Sequence, residues 1–174
     1  MAELDDELAQ TIRGAVRARR EDAVSLLQEL VRVPSVTGEE GAVGAVVGRA
    51  FSERGLDVDT WEATREETEP YRDHVGEQIS YENRPNVAGT GDGRSILLNA
   101  HTDTVDPGDP TAWRGDPLSG NLEGDLLYGR GSCDMKGGLV TPRRGGRILQ
   151  SSRLRTYRHR RRTRPLATRA SSAT

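Results

Sequence analysis

The chain has 174 residues, 33% of them hydrophobic and 30% charged, enough for one ordinary domain with a core. Its formal net charge of −2 conceals two unlike parts: residues 1–140 hold all 27 acidic residues against 14 basic ones, while residues 141–174 hold eleven arginines and no acid. The single cysteine, Cys133, excludes an internal disulfide, and the acidic start MAELDDELAQ together with the lack of a long apolar run leads to the expectation of a soluble, cytoplasmic protein without a membrane partner.

Taken in order, residues 4–20 read as a polar, exposed helix with Leu4, Leu8, Ile12 and Val16 at four-residue steps. In EDAVSLLQELVRVP, Ala23, Leu26, Leu27 and Leu30 fall on one helical face, and Pro34 stops the helix because its ring and missing N–H cannot continue it. TGEE announces another helix, with Thr37 as cap and Glu40 three residues on. Val43, Val46, Val47, Ala50 and Phe51 give it a buried face, and Gly55 can supply a left-handed stop. LDVDTWEA alternates as a strand, and the polar stretch from Ala63 to Asn83 has no period and reads as loop. NVAGT and SILLNAH read as two further strands, the second apolar enough to be central and fully buried. The order predicts an α/β domain with a mixed sheet over residues 1–140.

His101 and Asp103 follow the apolar run directly. Residues two apart in an extended chain point the same way, so both side chains project from the strand's C-terminal end, where open α/β sheets place ligands. A neutral imidazole is a good zinc ligand, and a carboxylate two residues on can hold its other ring nitrogen. Downstream, YGRGSCDMKGG sets Asp134 among Gly129, Gly131, Gly137 and Gly138, as a metal-binding carboxylate on a backbone that can turn sharply. Cys133 beside it reads as a small packed side chain. Lys136, the only lysine, reads equally as an anion anchor at a helix start or as a plain surface residue.

Each piece alone is weak, but their order is specific. NAHTDTV, then W-x-x-D-P-L-S-G, then D-x-L-Y-G-R-G-x-x-D-M-K-G-G resembles the acetylornithine deacetylase and succinyl-diaminopimelate desuccinylase family of zinc metallopeptidases, which also includes aminoacylases and carboxypeptidases. ELVRVPSVTGEE and RPNVAGTG extend the resemblance over about residues 22–140. It implies the N-terminal part of a catalytic domain that works with two zinc ions, cobalt being a possible substitute. His101 would be a terminal ligand of one ion, Asp103 the carboxylate that orients it, and Asp134 the bridge between ions. The substrate would be an N-acyl amino acid or small peptide, and the intact family would be homodimeric. The resemblance also requires a later Glu-Glu pair holding the general base, a further acidic ligand and a C-terminal histidine. No Asp or Glu follows Val140, and His159 is the one remaining candidate ligand after Asp134, set among arginines that disfavour a cation. The expectation is weak or absent metal binding and no amide hydrolysis by these 174 residues.

The Arg-rich tail, 141–174, admits three readings. It is a disordered segment too poor in apolar residues to fold, a basic arm for nucleic acid, or the product of a shifted reading frame. If its arginines are encoded by CGN codons, a reading one base later gives Val, Ala, Gly, Asp or Glu in their place, and Arg160 to Arg162 become three valines. That reading is compatible with a helix, a turn and a strand, and it ranks first. The alternative for the whole chain is a non-catalytic binding protein that acts through a metal-free α/β domain or through the basic, nucleic-acid-binding tail.

Overall fold

In the computed structural model, which describes residues 5–75, 80–91 and 97–140, three helices open the chain. The first, α1 (Asp6–Arg17), is capped by Asp5, whose carboxylate accepts the Glu7 N–H at 3.1 Å, and it buries no side chain. Next, α2 (Arg20–Arg32) buries Leu26, Leu30 and Val31 and ends two residues before Pro34, as the proline requires. Against it lies α3 (Gly41–Ser52). Leu26 and Leu30 meet Val43, Val47 and Ala50 in one buried cluster, which Val140 joins from the far end of the described chain. Gly55, at φ +71°, turns the chain out of this helix.

The start of α3 differs from the expected Thr37 cap. Gly38, at φ +106°, turns the chain between Thr37 and the helix, so the first helical residue is Gly41 and the Thr37 hydroxyl faces elsewhere. Glu40 takes over the junction. Its carboxylate accepts the Gly38 N–H at 3.0 Å and forms a forked pair with Arg84, Nε and Nη2 each at 2.9 Å. A capping box does occur at Thr64 and Glu67, heading a four-residue turn, α4 (Arg65–Thr68), within the stretch expected to be loop. A 3-10 turn (Glu69–Tyr71) and α5 (Arg72–Val75) follow it.

β1 (Asp57–Trp61) and β2 (Asn86–Thr90) form an antiparallel ribbon with Val58 opposite Gly89 and Thr60 opposite Val87. Phe51 of α3 and Leu56 close over Gly89, where any larger side chain would collide with them. A second antiparallel ribbon joins β3 (Asn121–Glu123) to β4 (Leu126–Tyr128).

Helices and small antiparallel sheets together are consistent with the α/β class, but the mixed sheet is not formed among the described residues. The one parallel contact is an isolated bridge between Val36 and Thr104. The apolar run expected to be a central strand is also different. Residues 97–100 join no sheet, Leu97 is 93% and Leu98 54% exposed, and Ser95 and Ile96 lie outside the described residues. Among the described residues neither ribbon takes up this run, and its leucines stay largely exposed. The tail from 141 to 174, with His159, also lies outside the described residues. Among the described residues no helix is long and apolar enough to cross a membrane.

Candidate metal centre

The residue pair His101 and Asp103 is seated by the chain that leaves α2. Residues 35–37 run alongside 102–104: the Thr104 N–H donates to the Ser35 carbonyl at 2.8 Å and the Thr37 N–H to the Thr104 carbonyl at 3.1 Å. Ser35, fully buried, donates its hydroxyl to the Thr102 carbonyl at 2.9 Å. Thr37 donates its hydroxyl to Asp103 Oδ2 at 2.7 Å, which is the role it has in place of a helix cap.

His101 Nδ1 lies 3.1 Å from the Asp103 carbonyl oxygen and 3.2 Å from Asp103 Oδ1. Both neighbours are acceptors, so Nδ1 carries a proton and Nε2 is the nitrogen turned toward the open side. Nε2 lies 3.1 Å from Asp134 Oδ1. Sequence distance is 33 residues, yet the fold brings the three side chains together. Burial pushes the His101 ring toward its neutral form. The Asp103 carbonyl, the Asp134 carboxylate and the charges of both aspartates outweigh that, and the ring's pKa is raised above its ordinary value.

Asp134 is delivered by the glycine-rich turn. At Gly131, φ +77°, a Cβ would collide with the Thr104 methyl, and at Gly129, φ +151°, with a Val31 methyl, so glycine lets this turn lie flat on α2 and on the 102–104 segment. A wide helical turn, Ser132–Lys136, is closed by the Lys136 N–H donating to the Gly131 carbonyl at 3.0 Å. The Asp134 backbone within it is extended, at φ −118° and ψ 99°.

Lys136 fits neither of its expected roles. It is 1% exposed, and its ammonium donates to the carbonyls of Leu30 at 2.7 Å and Val33 at 3.3 Å. The cause can be read from α2. The Leu30 carbonyl would be satisfied by the N–H four residues on, but that residue is Pro34, which has none. Lys136 supplies the missing donor and sets a positive charge at the negative end of the helix dipole. Burial lowers its pKa to about 8.

The three acidic and imidazole groups open onto a cleft of about 270 Å³, also lined by Arg130, Ser132 and Cys133. Cys133 is exposed there, not packed as expected, because the turn directs it away from α2. Arg130 closes one wall. Its guanidinium carbon stands 4.9 Å over the Trp113 ring, and Nη2 donates to the Pro107 carbonyl at 3.2 Å, which also accepts the Trp113 indole N–H at 2.9 Å.

A zinc ion is bound by imidazole nitrogen and carboxylate oxygen at about 2.0–2.2 Å, which puts two donors on a tetrahedral ion about 3.3 Å apart. His101 Nε2 and Asp134 Oδ1, at 3.1 Å, are close to that separation, and Asp103 holds the opposite ring nitrogen as an orienting carboxylate does. The donor set therefore fits an edge of a zinc site. Among the described residues no group of three or more His, Cys, Asp or Glu side chains could hold a metal ion.

Known proteins resemble this chain over the stretch that carries the cleft. The sequence profile of peptidase family M20/M25/M40 matches residues 97–157, which contain His101, Asp103 and Asp134. The matched stretch belongs to this family. It is 38% identical over 117 residues to a succinyl-diaminopimelate desuccinylase of Methylobacterium sp. (strain 4-46), a match that covers 67% of this chain and 27% of the relative. Desuccinylases of Ehrlichia ruminantium (strain Gardel) and Methylocella silvestris are 34% and 36% identical, over 66% and 68% of this chain and 27% and 28% of their own lengths. The chain thus spans about a quarter of the curated relatives that it matches.

The sequence reading had no place for Thr37, Ser35 and Lys136 as supports of this M20-type site. One signal was available for the lysine: a proline four residues after a buried helical leucine leaves a carbonyl that needs a donor from elsewhere.

Proposed function

We propose that this chain is the metal-binding part of a zinc-dependent amidohydrolase that removes the acyl group from an N-acyl amino acid. The single observation that carries the reading is the approach of His101 Nε2 to Asp134 Oδ1, with Asp103 behind the ring, inside the stretch that matches the family. The desuccinylase names of the relatives support an N-acyl substrate that bears carboxylates.

His101 and Asp134 would hold zinc, Asp134 on the side shared with a second ion. When bound, zinc supplies Lewis-acid polarisation of the amide carbonyl and makes a water acidic enough to attack near neutral pH. The work of the chain's own residues is positional. Asp103 holds the proton on Nδ1, so that Nε2 is the nitrogen that would exchange its contact with Asp134 for an ion, and Thr37 fixes the rotamer of Asp103. The hydrolytic step also needs a general base within reach of the attacking water. Among the described residues the cleft has two zinc donors and no glutamate, so on this reading these 174 residues alone would bind zinc weakly and leave substrate uncleaved.

Zinc titration of the chain and of His101→Ala and Asp134→Asn, followed by assay against an N-succinyl amino acid, tests both statements. Weak uptake by the parent and none by either variant is expected. Uptake that both variants retain would remove the ligand assignment, and turnover by the parent chain would overturn the inactive reading.

A further inference from the structure

We infer that Lys136 is a positioning residue for the metal site, holding Asp134 opposite His101 by anchoring the glycine-rich turn to the end of α2. The inference rests on the reading of Asp134 as a metal ligand. Its observations are independent of the comparisons with relatives.

Both halves of the site are mounted on the same few residues. The segment carrying His101 hangs on Ser35 and Thr37, and the turn carrying Asp134 hangs on Leu30 and Val33 through the Lys136 ammonium. Between the two mounts lies Pro34, which withdraws a backbone donor from the helix end and so creates the vacancy that Lys136 fills. The anchor also lies two residues from the ligand it serves. With the Lys136 N–H closing the turn on Gly131, Asp134 is confined to a loop fixed at both ends. An apolar side chain of equal length would fill the same space and leave the Leu30 carbonyl buried and unpaired. The turn would then relax from the helix, and Asp134, which is itself exposed, would lose its fixed separation from the ring.

The test uses the metal-free 174-residue chain at one fixed pH. The ring nitrogens of His101 are read by two-bond correlations from its carbon-bound protons, with Asp134→Asn as the reference for a ring that has lost its carboxylate. Lys136→Met should move the Nε2 resonance toward that reference while the methyl resonances of Leu26, Val43 and Val47 stay in place. Leu30→Ala, which weakens the core and keeps the ammonium, should leave the Nε2 resonance where it is. Lys136→Gln, which keeps a donor on a shorter stem, should fall between. Zinc affinity should drop about tenfold or more in Lys136→Met, the usual scale for losing an outer support of a ligand.

An unchanged Nε2 resonance in a folded Lys136→Met chain would overturn the inference. So would equal shifts in Lys136→Met and Leu30→Ala, or loss of the core methyl pattern in both lysine variants, since the lysine would then serve the fold as a whole. A parent chain that takes up no zinc but shows the Lys136-dependent ring shift upholds the positioning and counts only against the ligand reading.

Discussion

The two segments that meet at the site are held in unlike ways. Residues 129–140 lie on α2, with Lys136 buried in its end and Val140 in the core cluster. Residues 97–105 meet 35–37 and the turn at Gly131 and Asp134, and they show solvent Leu97, Leu98 and Val105, the last 69% exposed. One ligand therefore sits on a packed support, and the other follows an apolar run that packs against nothing described. The Asp134 side is tied to the core helix through the Lys136 ammonium on backbone carbonyls, so that anchor and not the Leu30 side chain sets its geometry, while the His101 side is held by the backbone and hydroxyl bonds of Ser35 and Thr37.

The largest effect should come from the packed side. Leu30 is fully buried and touches both the helix pair and the turn, so Leu30→Ala should cost about 2–5 kcal/mol, read as a lower urea midpoint. A cost under about 1 kcal/mol would mean that the shared core is not formed in solution.

The next effect is a pH dependence set by Lys136. Its pKa is lowered from 10.5 to about 8 in the folded chain, so below pH 8 both states carry the proton and folding bears the cost of a buried charge. Between pH 8 and 10.5 the unfolded chain binds more protons than the folded one, and stability rises with pH, complete above 10.5. The two carbonyls that accept from the ammonium oppose this, which leaves a gain of about 2 kcal/mol. With no other lysine in the chain, Lys136→Met should flatten the slope. Urea midpoints at pH 7.5, 9 and 10.5 measure it; a flat profile would mean that the amine is solvated, and a slope of the opposite sign that the two carbonyls favour the ammonium more than burial opposes it.

The features legible in the sequence are those set by local chemistry. Pro34 stops α2, the three-and-four spacing of Leu26 and Leu30 names its buried face, Gly55 turns the chain out of α3, and NVAGT is a strand to the residue. That His101, Asp103 and Asp134 would meet was legible because their chemistry and order are distinctive. What was not legible depends on partners distant in sequence. Thr37 looked like a cap because its local pattern is that of a cap, but Asp103, 66 residues away, takes its hydroxyl. Lys136 looked like surface because lysines usually are, and only the carbonyl left unpaired by Pro34 makes burial tolerable. SILLNA looked like a buried strand because apolar runs need cover, and a pattern of this kind states the need without supplying the neighbour.

The exposed leucines give the smallest and sharpest prediction. An apolar side chain contributes about 1.5–3 kcal/mol when it is removed from water and close to nothing when it is not. Leu97→Asn and Leu98→Asn should therefore shift the stability of the monomeric chain by less than about 0.5 kcal/mol each. Leu97, at 93% exposure, should give the smaller change of the two. A cost above about 1.5 kcal/mol at either position would show that the run is covered in solution. Repeating the measurement at several protein concentrations then identifies the cover: a cost that vanishes on dilution belongs to a second copy of the chain, and one that persists belongs to the chain itself. In either case the segment carrying His101 would gain the packed support that the segment carrying Asp134 already has.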